Sequence, residues 1–236
     1  MFAEYNLNGS ALPHKTLCLT FDDGPGEIYG NGPGPKTIRL AEYLVAEGIH
    51  ATFFMTGKHL AQYPHLAQQV LAMGHTIGNH TYYHPNFLKP ETFNPGETAL
   101  TEIERTEALI SASNPSKNIF FRAPYGDWSK NVATILNTSL KSDINYTGPI
   151  GWDINENDWQ FWLNADTPEN CAEAYLQGIQ QVGRGIVVMH DSTTDHDVIK
   201  ANNRTFEMVK ILIPQLKSLG YSFVRLEDVP LLVQHP

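Results

Sequence analysis

An α/β architecture with a parallel sheet is the fold class this sequence predicts, on three observations. Strand-like and helix-like segments alternate along the chain, the strands read as unbroken apolar runs, and charged residues sit where those runs end. A run without polar alternation is buried on both faces, as in a parallel sheet covered by helices. Repeated β-α units of this length suit a barrel or a doubly wound sheet. In a barrel, the C-terminal strand ends form the active-site face.

The elements follow in order. Residues 16–21 form an apolar strand, and 36–47 repeat Ile38, Leu40, Leu44 and Val45 at helical spacing until Gly48. Residues 51–55 are a β-branched and aromatic strand. Residues 59–73 read as one helix stopped by Gly74, and 75–78 begin a further strand. A helix over 98–111 carries Leu100, Ile103, Leu109 and Ile110 on its apolar side; a strand over 118–121 ends at Arg122, and 130–140 is the next helix. Residues 168–179 form a helix with Thr167 as N-cap. Residues 185–189 are an apolar strand ending at His190, 206–219 a helix interrupted or kinked at Pro214, and 221–225 the last strand. The segments 24–35 and 85–96 are expected to be rim loops. With no repeat, low-complexity tract or linker, one domain over residues 1–236 is expected.

A chain of 236 residues with 42% apolar and 17% charged residues has ample material for a full core. A formal charge of −9 disfavours nucleic acid and anionic membrane surfaces as partners. It suits a neutral or cationic polymer. No apolar run approaches the ~20 residues of a membrane span. The first five residues lack the features of a signal peptide, so the expected location is the cytoplasm, or the cell wall or exterior if a leader was removed. Cys18 and Cys171 are expected to be buried free thiols. The expected form is a monomer.

The most informative stretch is Thr20-Phe21-Asp22-Asp23-Gly24-Pro25. Successive side chains of a strand point to opposite faces, so the strand must end here, with Gly24-Pro25 turning the chain and leaving both carboxylates at its mouth. Two such acids become useful when a cation takes one and the other is left as a base. His80 and His84, four residues apart, complete a two-histidine, one-carboxylate set with Asp23 that leaves positions open for water and substrate.

With Arg122-Ala123-Pro124-Tyr125, residues 152–159 and Val188-Met189-His190, these segments stand in the order of five motifs. Over about residues 16–228 the chain thereby resembles the polysaccharide deacetylases, the NodB-homology group of carbohydrate esterase family four. The resemblance implies a distorted, incomplete (β/α) barrel and a metal-dependent hydrolase. Its substrate would be an acetylated carbohydrate polymer or oligomer, usually with N-acetylglucosamine units, as in chitin, chitooligosaccharides or peptidoglycan. O-acetyl removal from xylan is the alternative.

The resemblance also implies roles. Asp22 is the general base; Asp23, His80 and His84 hold a divalent metal, Zn²⁺ first, with Co²⁺ or a similar ion as substitute. Arg122 pairs with Asp22 and keeps it ionised, and the Tyr125 backbone N–H donates to the oxyanion. His190 is the general acid with Asp158 as its partner, and Trp159 and Val188 line a slot for the acetyl methyl group. Both acids on the metal, and Asp153 in place of Asp158, stay open as alternatives. Asn155 stands where many members carry Asp, and Val188 replaces the more usual Leu.

Two other classes fit less well. A phosphatase using Asp22 as nucleophile gives no reason for His80, His84 and His190. A non-catalytic glycan-binding relative would be expected to lack a ligand or the base, and none is missing. Among the remaining residues, His14, His50, His59, His65, His75, His196 and His235 read as surface or packing, and Asp191, Asp195 and Asp197 as a solvated loop. Tyr82, Tyr83, Trp128, Phe161 and Trp162 are left between a sugar groove and packing.

Overall fold

The computed structural model describes residues 1–27, 31–114, 116–193 and 195–233; part of the expected 24–35 rim loop, and His235, lie outside them. The elements are β1 (Leu7–Asn8), β2 (Thr16–Asp22), α1 (Thr37–Ala46), β3 (Thr52–Met55), α2 (Gly57–Gln62), α3 (Pro64–Ala72), β4 (Thr76–Asn79) and α4 (Ala99–Ser113). They continue as β5 (Asn118–Phe120), α5 (Lys130–Ser139), β6 (Asn145–Thr147), α6 (Asp158–Leu163), α7 (Pro168–Val182), β7 (Gly185–His190), α8 (Asp197–Asn202), α9 (Thr205–Ser218), β8 (Ser222–Phe223) and β9 (Leu232–Val233).

The sheet is parallel, in the order β4-β3-β2-β7 with β8 beside β2, and β5 pairs parallel with β6. Single bridges link the two pieces: Asn79 to Phe121 on one side and Ile154 to Val187 on the other. Together the ladders and bridges give a distorted, incomplete barrel with helices outside. β1 and β9 add a short antiparallel pair.

Strand alternation divides the side chains between two environments. Leu17, Leu19 and Phe21 of β2, Phe53 and Met55 of β3, and Val187 and Met189 of β7 join the large core under the helices. Cys18, Phe54 and Ile186, from the intervening positions, join a smaller second cluster. Asp22 continues the Cys18 phase, while Val188 and His190 continue that of Ile186. The same period-2 pattern that builds the core therefore aims one carboxylate and one imidazole at a common interior.

Several expectations change. The helix over 59–73 is two helices, because Pro64, which lacks an N–H, begins α3 at its first turn. Pro214 does not interrupt α9, whose Met208, Val209, Leu212, Ile213 and Leu216 are buried on both sides of it. The last predicted strand shortens to β8. Elements β1, β6, α6, α8 and β9, two to six residues each, have no counterpart in the sequence reading.

Candidate active site

Asp22 and Asp23 lie at the C-terminal end of β2, and both are buried. Continued strand geometry would turn Asp23 away from Asp22. Instead Asp23 has a φ of 70°, in the left-handed region, which brings it round to the same mouth. His59 anchors this turn, its Nδ1–H donating to the Asp23 carbonyl at 2.7 Å while Lys200 donates to Nε2 at 3.3 Å. Gly24 follows because Asp191 presses against the chain: a Cβ there would lie 2.6 Å from Asp191 Oδ2.

Arg122 is fully buried at the end of β5. Its Nη1 donates to Asp22 Oδ1 and Thr20 Oγ1, both at 2.7 Å, while Nε and Nη2 donate to the carbonyls of Ile150 and Gly151 at 3.0 Å. A buried charge is tolerated when paired and fully hydrogen-bonded, and this arrangement fixes one oxygen of Asp22.

His80 and His84 come from the loop after β4. His80 Nδ1–H donates to the Arg122 carbonyl at 2.9 Å, and His84 Nδ1–H to Asp195 Oδ2 at 2.6 Å. In each neutral ring Nε2 is left as the free lone pair, and both face Asp23 Oδ1, at 3.4 Å from His80 and 3.3 Å from His84. Ligands about 2.1 Å from a tetrahedral ion lie about 3.4 Å apart, so these separations fit a small divalent cation. Asp23 Oδ1 is also buried without a hydrogen-bond partner. Burial alone would raise the Asp23 carboxyl, but His84 and His80 outweigh it and hold the group well below the usual carboxylate range. Asp23, His80 and His84 are the one such metal-capable group among the described residues, and Asp22 is not in it.

The opposite wall is His190, at the end of β7. Asp158, fully buried at the start of α6, accepts from His190 Nδ1 and from its backbone N–H, each at 2.7 Å. Burial pulls the His190 pKa down; the Asp158 charge and hydrogen bond reverse this and push it up to about 10. Both walls line one cavity of about 490 Å³, together with Tyr125, Trp152, Asn155, Trp159 and Val188. Tyr125 takes a φ of 60° after Pro124. Asp23, Thr81, His84, Tyr125 and Asn157 are five of the seven described non-glycine residues with positive φ. Such conformations cost roughly 1–3 kcal/mol each and gather at functional sites.

All ten residues singled out in the sequence therefore surround or support this cavity. Other expectations fail. Asp153 accepts instead from the backbone N–H groups of Gly9 and Ile186, while His190 pairs with Asp158. Asp191 is buried, accepts from Thr37 Oγ1 at 2.5 Å, and is pushed up to about 7 by burial, so it is no solvated loop residue. Asp195 is exposed, as a solvated loop residue would be, yet it also meets His84 and the Tyr125 hydroxyl, the latter at 2.8 Å. His196 is exposed, as expected, and also lines the cavity. Of the undecided aromatics, Trp162 is buried with its N–H on Thr205, Trp128 packs at a tilt among Phe2, Phe87 and Phe121, and Tyr82 lies under Arg105. The cavity's aromatic walls are instead Tyr125, Trp152 and Trp159. Cys18 and Cys171 are buried free thiols, as expected.

Comparison with known proteins agrees with this geometry. Residues 9–139, more than half of the chain, match the family described as polysaccharide deacetylase. Asp22, Asp23, His80, His84, Arg122 and Tyr125 lie inside that match, and Asp158, Trp159, Val188 and His190 beyond it. The chain is 27% identical over 213 residues to the chitooligosaccharide deacetylase of Azorhizobium caulinodans, covering 88% of this chain and 91% of the relative. It is 29% identical over 215 residues to the peptidoglycan-N-acetylglucosamine deacetylase of Bacillus cereus, covering 90% and 67%. Among solved structures, the Bc1960 peptidoglycan N-acetylglucosamine deacetylase superposes with a TM-score of 0.70 at 24% identity, over 96% of this chain and 92% of that one; at this identity the likeness speaks to the fold. The chain belongs to the polysaccharide deacetylase family.

Proposed function

We propose that the chain hydrolyses the acetamide of N-acetylglucosamine units in an oligo- or polysaccharide, using a divalent cation held by Asp23, His80 and His84. The observation that carries this is the pair of facing walls: a ligand set beside an Arg-held carboxylate, and a carboxylate-backed imidazole across one cavity. The names of the relatives favour N-acetyl over O-acetyl substrates. Among the described residues no helix is long and apolar enough to cross a membrane.

When bound, the cation, Zn²⁺ in this reading, supplies a Lewis acid for the acetyl carbonyl and for water. Asp22 accepts the proton of the attacking water through Oδ2, because Arg122 occupies Oδ1 and fixes the orientation of the group. The Tyr125 backbone N–H donates to the oxygen on which negative charge develops. His190, with Nδ1–H committed to Asp158, delivers the Nε2 proton to the departing amine. Trp159 and Val188 enclose the methyl group, and water is kept from the apolar end of the pocket.

Acetate release from chitooligosaccharides, peptidoglycan and acetylxylan tests this directly. Release is expected from the first two, to be abolished by a chelator and restored by Zn²⁺ or Co²⁺. Asp22→Asn should retain stoichiometric metal and lose ~10²–10⁴-fold in rate, the usual contribution of a general base. Full activity in metal-depleted protein would sink the reading.

A further inference from the structure

The loop after His190 carries a side chain that the proposed chemistry does not use. Asp195 Oδ2 accepts from His84 Nδ1 at 2.6 Å and from the Tyr125 hydroxyl at 2.8 Å. One oxygen thus joins a residue offered to the cation and an aromatic wall of the cavity, whose rings lie 4.7 Å apart between centroids. The other candidate histidine is held differently, by the main-chain carbonyl of Arg122. Only on the His84 side does a replaceable carboxylate stand behind the ligand.

Resting on the metal reading above, we propose that Asp195 is a positioning residue that couples cation retention to seating of the sugar. A carboxylate only accepts, so it requires the proton on Nδ1 and leaves Nε2 of the neutral ring aimed at Asp23. Partners of this kind orient metal-binding histidines and raise their basicity. The same oxygen holds the Tyr125 ring, more than half exposed, across the mouth where a pyranose face can stack on it. Losing the carboxylate frees both rings at once. Asp195 arrives from the β7–α8 loop and His84 from the β4–α4 loop, so the contact also ties together two loops on either side of the opening.

The side chain of Asp195 is 40% exposed, so its replacement removes little packing and the fold should persist, which a thermal melt checks. Zn²⁺ affinity is measured by equilibrium dialysis, and kcat and KM on a chitooligosaccharide at saturating Zn²⁺. Asp195→Ala should weaken Zn²⁺ binding ~10–100-fold and raise KM more than it lowers kcat. Asp195→Asn, whose amide oxygen still accepts from Nδ1–H, should recover most of the Zn²⁺ affinity. Tyr125→Phe should raise KM and leave Zn²⁺ affinity unchanged. Unaltered Zn²⁺ affinity in Asp195→Ala, with a loss in His84→Ala, overturns the proposal. Unaltered affinity in both overturns the metal reading instead. Weakened Zn²⁺ binding with an unaltered KM overturns the coupling.

Discussion

His84 and His190 face the same cavity, and each gives its Nδ1 to a carboxylate at almost the same distance, 2.6 and 2.7 Å. The two pairs are nevertheless built for different ends. Asp158 is fully buried and takes two hydrogen bonds from His190, with the Thr205 hydroxyl 3.4 Å from Oδ2, whereas Asp195 is 40% exposed and divides one oxygen between His84 and Tyr125. Burial opposes charge on both rings, and in both the nearby carboxylates prevail and raise the pKa. For His190 the fully buried partner secures a proton. For His84 the ring also meets Asp23 Oδ1 through Nε2, and a cation there needs that lone pair. What lies on the far nitrogen, more than the carboxylate behind, decides whether such a histidine carries a proton or binds a metal.

The largest effect should come from exchanging the two histidines for alanine. His84→Ala should lose bound Zn²⁺ and with it essentially all acetate release. On the proposed metal site, His190→Ala should bind Zn²⁺ undiminished and lose ~10²–10⁴-fold in rate. Metal analysis of both proteins decides it, and loss of Zn²⁺ from His190→Ala would break the distinction between the walls.

Asp158→Asn sharpens it. Without the negative partner, burial is offset only by the more distant charges of Asp23 and Asp22, and the His190 pKa falls from about 10. The alkaline limb of kcat/KM records loss of the acid's proton, so that limb should move to lower pH while the acid limb stays. A rate loss alone would leave the matter open, since deleting such a partner often costs ~10–100-fold for orientation. An alkaline limb that does not move would remove Asp158 from this role.

The smallest effect on rate is expected for Thr205→Val. The Thr205 hydroxyl donates to the His190 carbonyl at 2.7 Å and accepts from Trp162 Nε1 at 3.2 Å. Its loss leaves a buried indole N–H without that partner, which should cost about 1–3 kcal/mol of stability in a denaturant melt. The hydroxyl also lies 3.4 Å from Asp158 Oδ2, but Asp158 keeps both shorter bonds to His190, so the alkaline limb should shift little; a large shift would make the hydroxyl part of the proton-holding device.

Legibility in the sequence followed contact range. β2 and β7 were readable because runs such as Leu17 to Phe21 and Ile186 to Met189 are buried on both faces and carry no alternation. Their terminal Asp22 and His190 were readable for the same reason, as charges that end apolar runs. Strands of two or three residues, such as β1, β6 and β9, have no period to detect. Asp191 was misread because acid spacing says nothing of burial, and the contacts of Asp191 and Asp195 were out of reach because their partners Thr37 and His84 are 154 and 111 residues away. His59 was passed over because its partner is a backbone carbonyl, which no side-chain motif records. The helix break at Pro64 had a plain local signal that the surrounding apolar spacing masked.

The histidine loop owes its shape to a residue outside it. Glu102 of α4 is fully buried, and its Oε2 accepts from the backbone N–H groups of both Tyr82 and Tyr83 at 2.7 Å. Those amides are present whatever side chains the two positions carry. The scaffold is thereby insulated from the decoration: Tyr83, partly exposed, can vary from one descendant to another without moving His80 or His84. Glu102 has no such latitude, because a change there would reach the reaction centre from a helix that does not line the cavity. Lineages of this protein are expected to explore new surfaces through the loop while holding the helix still.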